Sequence, residues 1–274
     1  MIKGIKEIMT QISILGCGWL GFPLAKSFIS DGFLLKGSTT SEPKISVLKE
    51  NNIDPYLISL NENVIIGNID GFLDNSEILI IDIPPKLRGD SKENFVSKIE
   101  NLLSFVEKSS VKKVLFVSST SVYGDDNLIV TENTLPNPDT ESGRQLRRVE
   151  NILQKNKNFE TTILRFGGLI GEDRHPIKYM AGRENLENPD APVNLIHQND
   201  CIGIIKKIIQ TNAWNETFNA VNPFHPTRKD YYTQKALELK LPTPTFNLES
   251  KNSNKIISAH KIQQQLKYTF VTSI

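Results

Sequence analysis

The stretch QISILGCGWLGFPLAKSF, residues 11–28, runs an apolar strand into a glycine turn and then into a helical period. Gly16, Gly18 and Gly21 spell G-x-G-x-x-G, and the strand-before, helix-after context is what gives that pattern weight. Glycine at the first position permits a tight turn. At the second it lets the backbone approach a pyrophosphate, and at the third it lets helix and strand pack closely. The helix N-terminus offers unpaired N–H groups and a positive dipole end to phosphates. Pro23 suits the first helical turn, where a missing N–H costs little. The expected dinucleotide contacts here are Gly16, Gly18, Trp19, Leu20 and Gly21. A glycine turn without ligand is the plainer alternative.

Working outward, short apolar runs alternate with helical periods. Strands are expected at 12–16, 33–37, 78–83, 114–118 and 161–166, and helices at about 20–31, 42–51, 91–109 and 142–155. Strand–helix alternation of this kind argues for βαβ units in a doubly wound parallel sheet, an α/β Rossmann-type fold. The strands are apolar on both parities, as helices on both faces require. After about residue 170 the regularity weakens into polar, Gly- and Pro-rich loops, followed by helices expected at 200–210 and 227–239. The expected organisation is a dinucleotide-binding core over 1–170. Residues 171–274 form a small, partly irregular substrate-side region, with some elements returning to the core. In DTESGRQLRRVE, residues 139–150, Ser142 and Gln145 fit a capping box, and Leu146, Val149 and Leu153 form an apolar stripe.

The 274 residues carry 32 Lys+Arg against 31 Asp+Glu, a net charge of +1, so nothing in the overall charge calls for nucleic acid or an anionic membrane. The cluster Arg144, Arg147, Arg148 reads as a solvated helix face. Cys17 and Cys201 have neither metal nor redox spacing and read as reduced thiols. Runs such as ILII are too short to span a bilayer. MIKGIKEIMTQ lacks a signal-peptide h-region, and Met9 offers an alternative start. A cytoplasmic protein is expected.

Further signals follow in order: IDIPPK (81–86), VKKVLFVSSTSVYG (111–124), TILRFGGLIG (162–171), NLIHQND (194–200) and FNAVNPFHPTRKDYYTQKALELKLPTP (218–244). With the glycine loop, this ordered set resembles the short-chain dehydrogenase/reductase superfamily and, more narrowly, its NAD-dependent epimerase/dehydratase branch. The resemblance covers nearly the whole chain. It implies a nicotinamide cofactor, with Pro84, Pro85 and Ser118 on the cofactor side. It also implies that Ser119 is the hydroxyl that hydrogen-bonds the reacting oxygen.

In that family a Tyr-x-x-x-Lys pair supplies the acid/base phenol and its cation. Counting back from Glu150 puts Ser142 at the tyrosine position and Leu146 at the lysine position, and no tyrosine occurs between Tyr123 and Tyr179. Serine is a far weaker proton donor than a phenol, and leucine stabilises no oxyanion. The pattern is that of an atypical member.

An acid on the cofactor's ribose is expected about 20 residues past the loop. KGSTTSEPK, residues 36–44, instead offers Ser38, Thr39 and Thr40, with Lys36 or Lys44 as candidate phosphate cations, so NADP is preferred over NAD. Glu42 nearby is the counter-signal. Substrate-side candidates are Tyr123, Ser142, Arg174 and His197. His175 is a further candidate for an anionic or sugar-like group. Tyr123 reads more simply as a pocket-wall residue, and Asp200 as the N-cap of the helix after His197. No metal site and no P-loop is read from the sequence.

Three readings follow: an NAD(P)-dependent oxidoreductase acting on a sugar-like or small carbonyl substrate, a catalytically silent dinucleotide sensor, and an epimerase or isomerase using acids from the C-terminal loops. The expected partner is a small molecule, without nucleic acid or membrane, and with a homodimer left open.

Overall fold

The computed structural model describes residues 10–85, 87, 93–125, 129–250 and 254–274, so Met9 and Lys86 lie outside it. Its seven-stranded sheet comprises β1 (Gln11–Leu15), β2 (Leu34–Thr39), β3 (Asp54–Leu57), β4 (Ile78–Ile81), β5 (Lys113–Ser119), β6 (Glu160–Phe166) and β7 (Thr217–Ala220), in the order β7-β6-β5-β4-β1-β2-β3. β1 pairs in parallel with β2 and β4, β2 with β3, and β4 with β5. This is the doubly wound Rossmann-type fold the alternation predicts. The strand order reverses between β1 and β4, where a ligand crevice opens beyond the carboxyl ends of the strands. Leu15 sits opposite Ile81 there, and the Asp82 N–H donates to the Leu15 carbonyl at 2.9 Å. Gly16 and Asp82 therefore leave the sheet side by side.

The main helices are α1 (Gly21–Ser30), α2 (Lys44–Glu50), α3 (Ile69–Leu73), α4 (Phe95–Val106), α5 (Glu141–Lys155), α6 (Gln198–Gln210) and α7 (Arg228–Glu238). α1 buries Gly21, Leu24, Ala25 and Phe28, the one-sided spacing of a helix laid on a sheet. Each fully buried Leu or Phe of this kind contributes roughly 1.5–3 kcal/mol. Past Gln11, strand β1 is apolar except for Ser13, whose hydroxyl donates to the Phe72 carbonyl at 2.6 Å and lies 2.7 Å from the Ser76 hydroxyl. A buried polar group satisfied in this way does not disturb the layer.

Two compact units make up the chain. The first comprises Met1–Val117, Arg148–Ile163 and Trp214–Glu216, and the second Ser118–Arg147, Leu164–Ala213 and Thr217–Ile274. Within the second, Ile170, Ile177, Val193, Leu195, Tyr231 and Tyr232 belong to one buried cluster.

Two helix starts differ from the sequence expectation. α5 begins one residue earlier than expected, and the Thr140 hydroxyl accepts the Gly143 N–H at 3.1 Å. Thr140 is therefore the cap. Ser142 lies inside the first turn, and Gln145 donates to Glu141 at 3.0 Å instead of closing a box. α6 is capped by His197, whose Nδ1 accepts the Asn199 N–H at 3.2 Å. That places Asp200 at the third helical position, too far along to serve as the cap.

Candidate functional site

In the first unit, the three glycines of the loop differ in what a side chain would meet. Gly16 has φ +107°, and a Cβ there would lie 2.3 Å from the Asp82 carbonyl oxygen. At Gly21 a Cβ would lie 2.2 Å from the Gly16 carbonyl oxygen, while at Gly18 nothing stands within 4 Å. Two glycines are thus required by close backbone approach, and the middle one faces open space. The turn is closed by the Gly18 N–H donating to the Gly16 carbonyl at 2.8 Å. Leu20 precedes α1 without a capping side chain, so no side chain occupies the helix N-terminus from that position. Leu20 is buried and Trp19 half-buried. Cys17 points into the core, and burial pushes its thiol up to about 12, which keeps it protonated and unreactive.

The cleft beside this loop is lined by Gly16, Gly18, Thr39, Thr40, Lys44 and Asp82, together with Pro84 and Lys98. Ser38 also lines it, but its hydroxyl accepts the Gly16 N–H at 2.9 Å and so braces the loop. Pro84 is exposed and Pro85 half-buried, and neither has an N–H to donate. Lys36 does not reach the cleft. Its ammonium donates to the Gly71 and Asp74 carbonyls, each at 2.7 Å, at the carbonyl-rich C-terminal end of α3. The phosphate role suggested for Lys36 is therefore wrong, and among the described residues Lys44 and Lys98 are the cleft's cations. Glu42 is exposed and is not part of the lining.

Asp82 escaped the sequence reading. Its carboxyl accepts the Gly21 N–H, and burial nevertheless pushes it up to about 8. The one available signal was an acid terminating the otherwise apolar run ILIID.

In the second unit, Ser118 is buried and Ser119 half-buried at the end of β5. The Ser119 oxygen accepts the Ser121 N–H at 3.1 Å, capping a short 3-10 turn over Thr120–Val122 and leaving its own hydrogen to donate. The start of α5 lies against this turn, since a Cβ on Gly143 would stand 2.3 Å from the Ser121 carbonyl oxygen. Ser142, half-buried, is thereby brought to the element next to Ser119, and Leu146 is buried.

Tyr123 is held by its neighbours. Its phenol oxygen receives the Arg165 guanidinium at 2.5 Å and lies 2.9 Å from the Asn219 side-chain oxygen and 3.1 Å from the Thr131 carbonyl. The guanidinium also stacks on its ring, 4.9 Å from the centroid. Burial raises this phenol above its ordinary value, against the opposing pull of Arg165. Asn219 is held in turn by its N–H to Glu132 at 2.8 Å.

The remaining candidates are dispersed. Arg174 is exposed, and its backbone closes a turn with Gly171. His175 has both ring nitrogens engaged, Nδ1 accepting the Ile177 N–H at 3.1 Å and Nε2 at 2.8 Å from the Tyr231 hydroxyl. Burial lowers it to about 4, so it is a neutral structural group and not an anion ligand. His197 uses Nδ1 for its cap, which leaves the proton on Nε2. Asp200 is fully buried and accepts from the Tyr268 hydroxyl at 2.9 Å, the Val271 N–H at 2.8 Å and the Thr272 N–H at 3.2 Å. It ties down the C-terminal stretch. Among the described residues no group of three or more His, Cys, Asp or Glu is placed to hold a metal, and no helix is long and apolar enough to cross a membrane.

A doubly wound sheet with a glycine cradle at its switch point defines the Rossmann class. The sequence pattern of the NAD dependent epimerase/dehydratase family matches residues 90–213. "Protein YeeZ" of Escherichia coli (strain K12) is 32% identical over 265 residues, 96% of each chain. The chain belongs to the NAD dependent epimerase/dehydratase family. Among solved structures, a UDP-glucuronic acid 4-epimerase from Bacillus cereus in complex with NAD superposes with TM-score 0.79 at 18% identity, covering 96% of this chain and 93% of that one. A functionally unknown conserved protein from Silicibacter pomeroyi DSS gives TM-score 0.76 at 19% identity, covering 95% and 93%. At such identities the agreement is one of fold.

Proposed function

We propose that the chain binds a nicotinamide dinucleotide at Gly16–Gly21, prefers NADP, and acts as an atypical oxidoreductase of its family on a sugar-like or small carbonyl substrate. The observation that carries this reading is Gly18. It is the glycine of the loop whose missing side chain opens onto free space, beside two glycines locked by backbone contact. The NAD in the Bacillus cereus epimerase complex supports the same cofactor class. The N-terminus of α1, where Leu20 offers no capping side chain and Asp82 takes the Gly21 N–H, fits a diphosphate through its remaining N–H groups. Thr39, Thr40 and Lys44 in the lining fit an added 2′-phosphate, while Lys98 is paired with Glu93. A bound nicotinamide supplies hydride exchange.

The chain's own contribution is the Ser119 hydroxyl, which keeps a hydrogen for a substrate oxygen. Ser142 and Leu146, at the positions of the family's acid and its cation, give weak proton transfer and no charge stabilisation. General acid–base help is typically worth about 10²–10⁴-fold, so turnover on simple carbonyls is expected to be slow by that order. The substrate side is assigned to the second unit, which carries Ser119, Ser142 and His197. A homodimer is compatible with this reading.

The sensor reading has one observation in its favour: the Tyr123 phenol is tied to Arg165 and Asn219, which keeps it from replacing the absent acid. Calorimetry with NADPH and NADH, on wild type and Gly18→Val, tests cofactor binding. The wild type should bind NADPH more tightly, Thr39→Asp should reverse the order, and Gly18→Val should lose binding. Unchanged affinity in Gly18→Val rejects the site. A panel of aldehydes, ketones and nucleotide sugars then separates enzyme from sensor. Slow reduction lost in Ser119→Ala supports the enzyme, and silence with tight cofactor binding supports the sensor.

A further inference from the structure

We propose that Asp82 serves the cleft as a neutral acid, its protonated oxygen turned to the cofactor's diphosphate, so that dinucleotide binding takes up a proton. The inference rests on the dinucleotide reading above. Three observations place the carboxyl. Asp82 leaves β4 beside Gly16 at the switch point, bonded through its N–H to the Leu15 carbonyl. Asp82 lines the same cleft as Gly16 and Gly18. Its carboxyl accepts the Gly21 N–H at the start of α1, and a Cβ on Gly21 would stand 3.2 Å from Oδ2. One carboxyl oxygen is therefore committed to the helix N-terminus, the same positive dipole end a diphosphate would use.

Two anions at one helix end repel each other, and a carboxylate beside a diphosphate is the arrangement that favours protonation. The groups facing Asp82 offer little to hold it ionised. From the loop come the Gly21 N–H and the Cys17 thiol, itself kept neutral by burial. β2 presents Ser38, committed to the Gly16 N–H. Lys44 comes from α2, and Lys98 from α4 is already paired with Glu93. None of these cations makes a salt bridge to Asp82 among the described residues. The acid is already held near neutrality by desolvation, at about 8, before any phosphate arrives. A neutral acid gives the diphosphate a hydrogen-bond donor where a carboxylate would oppose it.

The test is calorimetry of the full chain with NADH, which has no group titrating across the range, from pH 6.5 to 9.5 in buffers of different ionisation enthalpy. Affinity should be flat below about pH 7.5 and fall about fivefold between pH 8 and 9, with proton uptake approaching about one per NADH at the upper end. Asp82→Asn keeps an acceptor for the Gly21 N–H but cannot ionise, and it should remove both the slope and the uptake. Should that variant fold poorly, infrared spectroscopy of the wild type decides instead: a protonated carboxylic C=O band should persist at pH 7 and strengthen at pH 9 on adding NADH. Binding with no pH slope, or a slope retained in Asp82→Asn, or no such band, overturns the inference alone. No binding of NADH or NADPH at any pH overturns the dinucleotide reading and this inference with it.

Discussion

The glycine loop of the first unit and the Tyr123–Arg165 cluster of the second are built on opposite principles. In the loop, close backbone approach at Gly16 and Gly21 fixes the chain, while Gly18 faces open space. In the cluster most polar groups are spent on a neighbour: Arg165 on Tyr123, Tyr123 on Asn219 and Thr131, and the Asn219 backbone on Glu132, with the Asn219 Nδ2 buried and unpaired among the described residues. A region that leaves donors open is arranged to receive a ligand. One that consumes them is arranged to hold its shape. The difference explains why Tyr123, chemically the more eligible acid, is a poorer catalytic candidate than Ser119, whose hydrogen is still available.

The sharpest way to break that contrast is within the loop itself. Gly16→Val forces a side chain into φ +107° and against the Asp82 carbonyl. Backbone strain and overpacking together should cost about 3–5 kcal/mol in urea unfolding. Gly18→Val should change stability by no more than about 1 kcal/mol, because its Cβ meets nothing. Equal losses of stability in both variants would remove the distinction between a cradle and an open position.

The next effect belongs to the cluster. Arg165→Met leaves the Tyr123 phenol without its buried donor and should cost about 2–3 kcal/mol, with Tyr123→Phe costing about 1 kcal/mol. Neither should alter NADPH affinity beyond a small factor. A turnover measurable in wild type and abolished in a well-folded Tyr123→Phe would make the phenol catalytic after all.

Legibility from sequence follows the same division. The glycine loop was readable because its chemistry is local, with strand, turn and helix lying within eighteen residues. Five strands were placed within a residue or two by their apolar runs. β3 was missed because Asp54–Leu57 is a short edge strand containing Pro55, tolerated only where the N–H side is unpaired. β7 was missed because Thr217–Ala220 is brief and alternates weakly. The fates of Lys36, His175 and Asp200 depend on partners 35, 56 and 68 residues away. Residue type announces that such a group can bond, but only the fold says to what.

Asp200 offers a test of one of these distant ties. Its carboxylate gathers Tyr268, Val271 and Thr272, and a Cβ on Gly203 would meet the Tyr268 hydroxyl at 2.3 Å, so the tail is seated closely on α6. Asp200→Ala should cost about 2 kcal/mol. The amides of Val271 and Thr272 should exchange faster in hydrogen-exchange measurements, while Gly18 and its neighbours stay unchanged. Uniform acceleration across the chain would mean that Asp200 supports the whole fold and not the tail.

The last effect is a pH dependence, and its sign follows from His175. The ring is neutral in the fold, with Nδ1 accepting the Ile177 N–H and the Nε2 proton directed to the Tyr231 hydroxyl. Burial, then the Lys235 and Lys178 charges, hold it down at about 4, against an ordinary value of 6.5. Between those values the unfolded chain binds a proton that the native chain refuses, so stability is lost as pH falls from about 6.5 towards 4 and levels off below. His175 is only partly buried, and after allowing for solvent screening the loss should be on the order of 1–2 kcal/mol. Urea midpoints at pH 7, 6, 5 and 4.5 measure it. His175→Gln keeps hydrogen-bonding capacity without the titration, and its curve should be flatter than wild type over that window. His225 is also held below its ordinary value by burial and contributes with the same sign, so the difference between the two proteins, not the raw slope, isolates His175. Parallel curves would mean that the His175–Tyr231 contact accepts a proton freely, and that the second unit is less closed around its polar groups than the Tyr123 cluster implies.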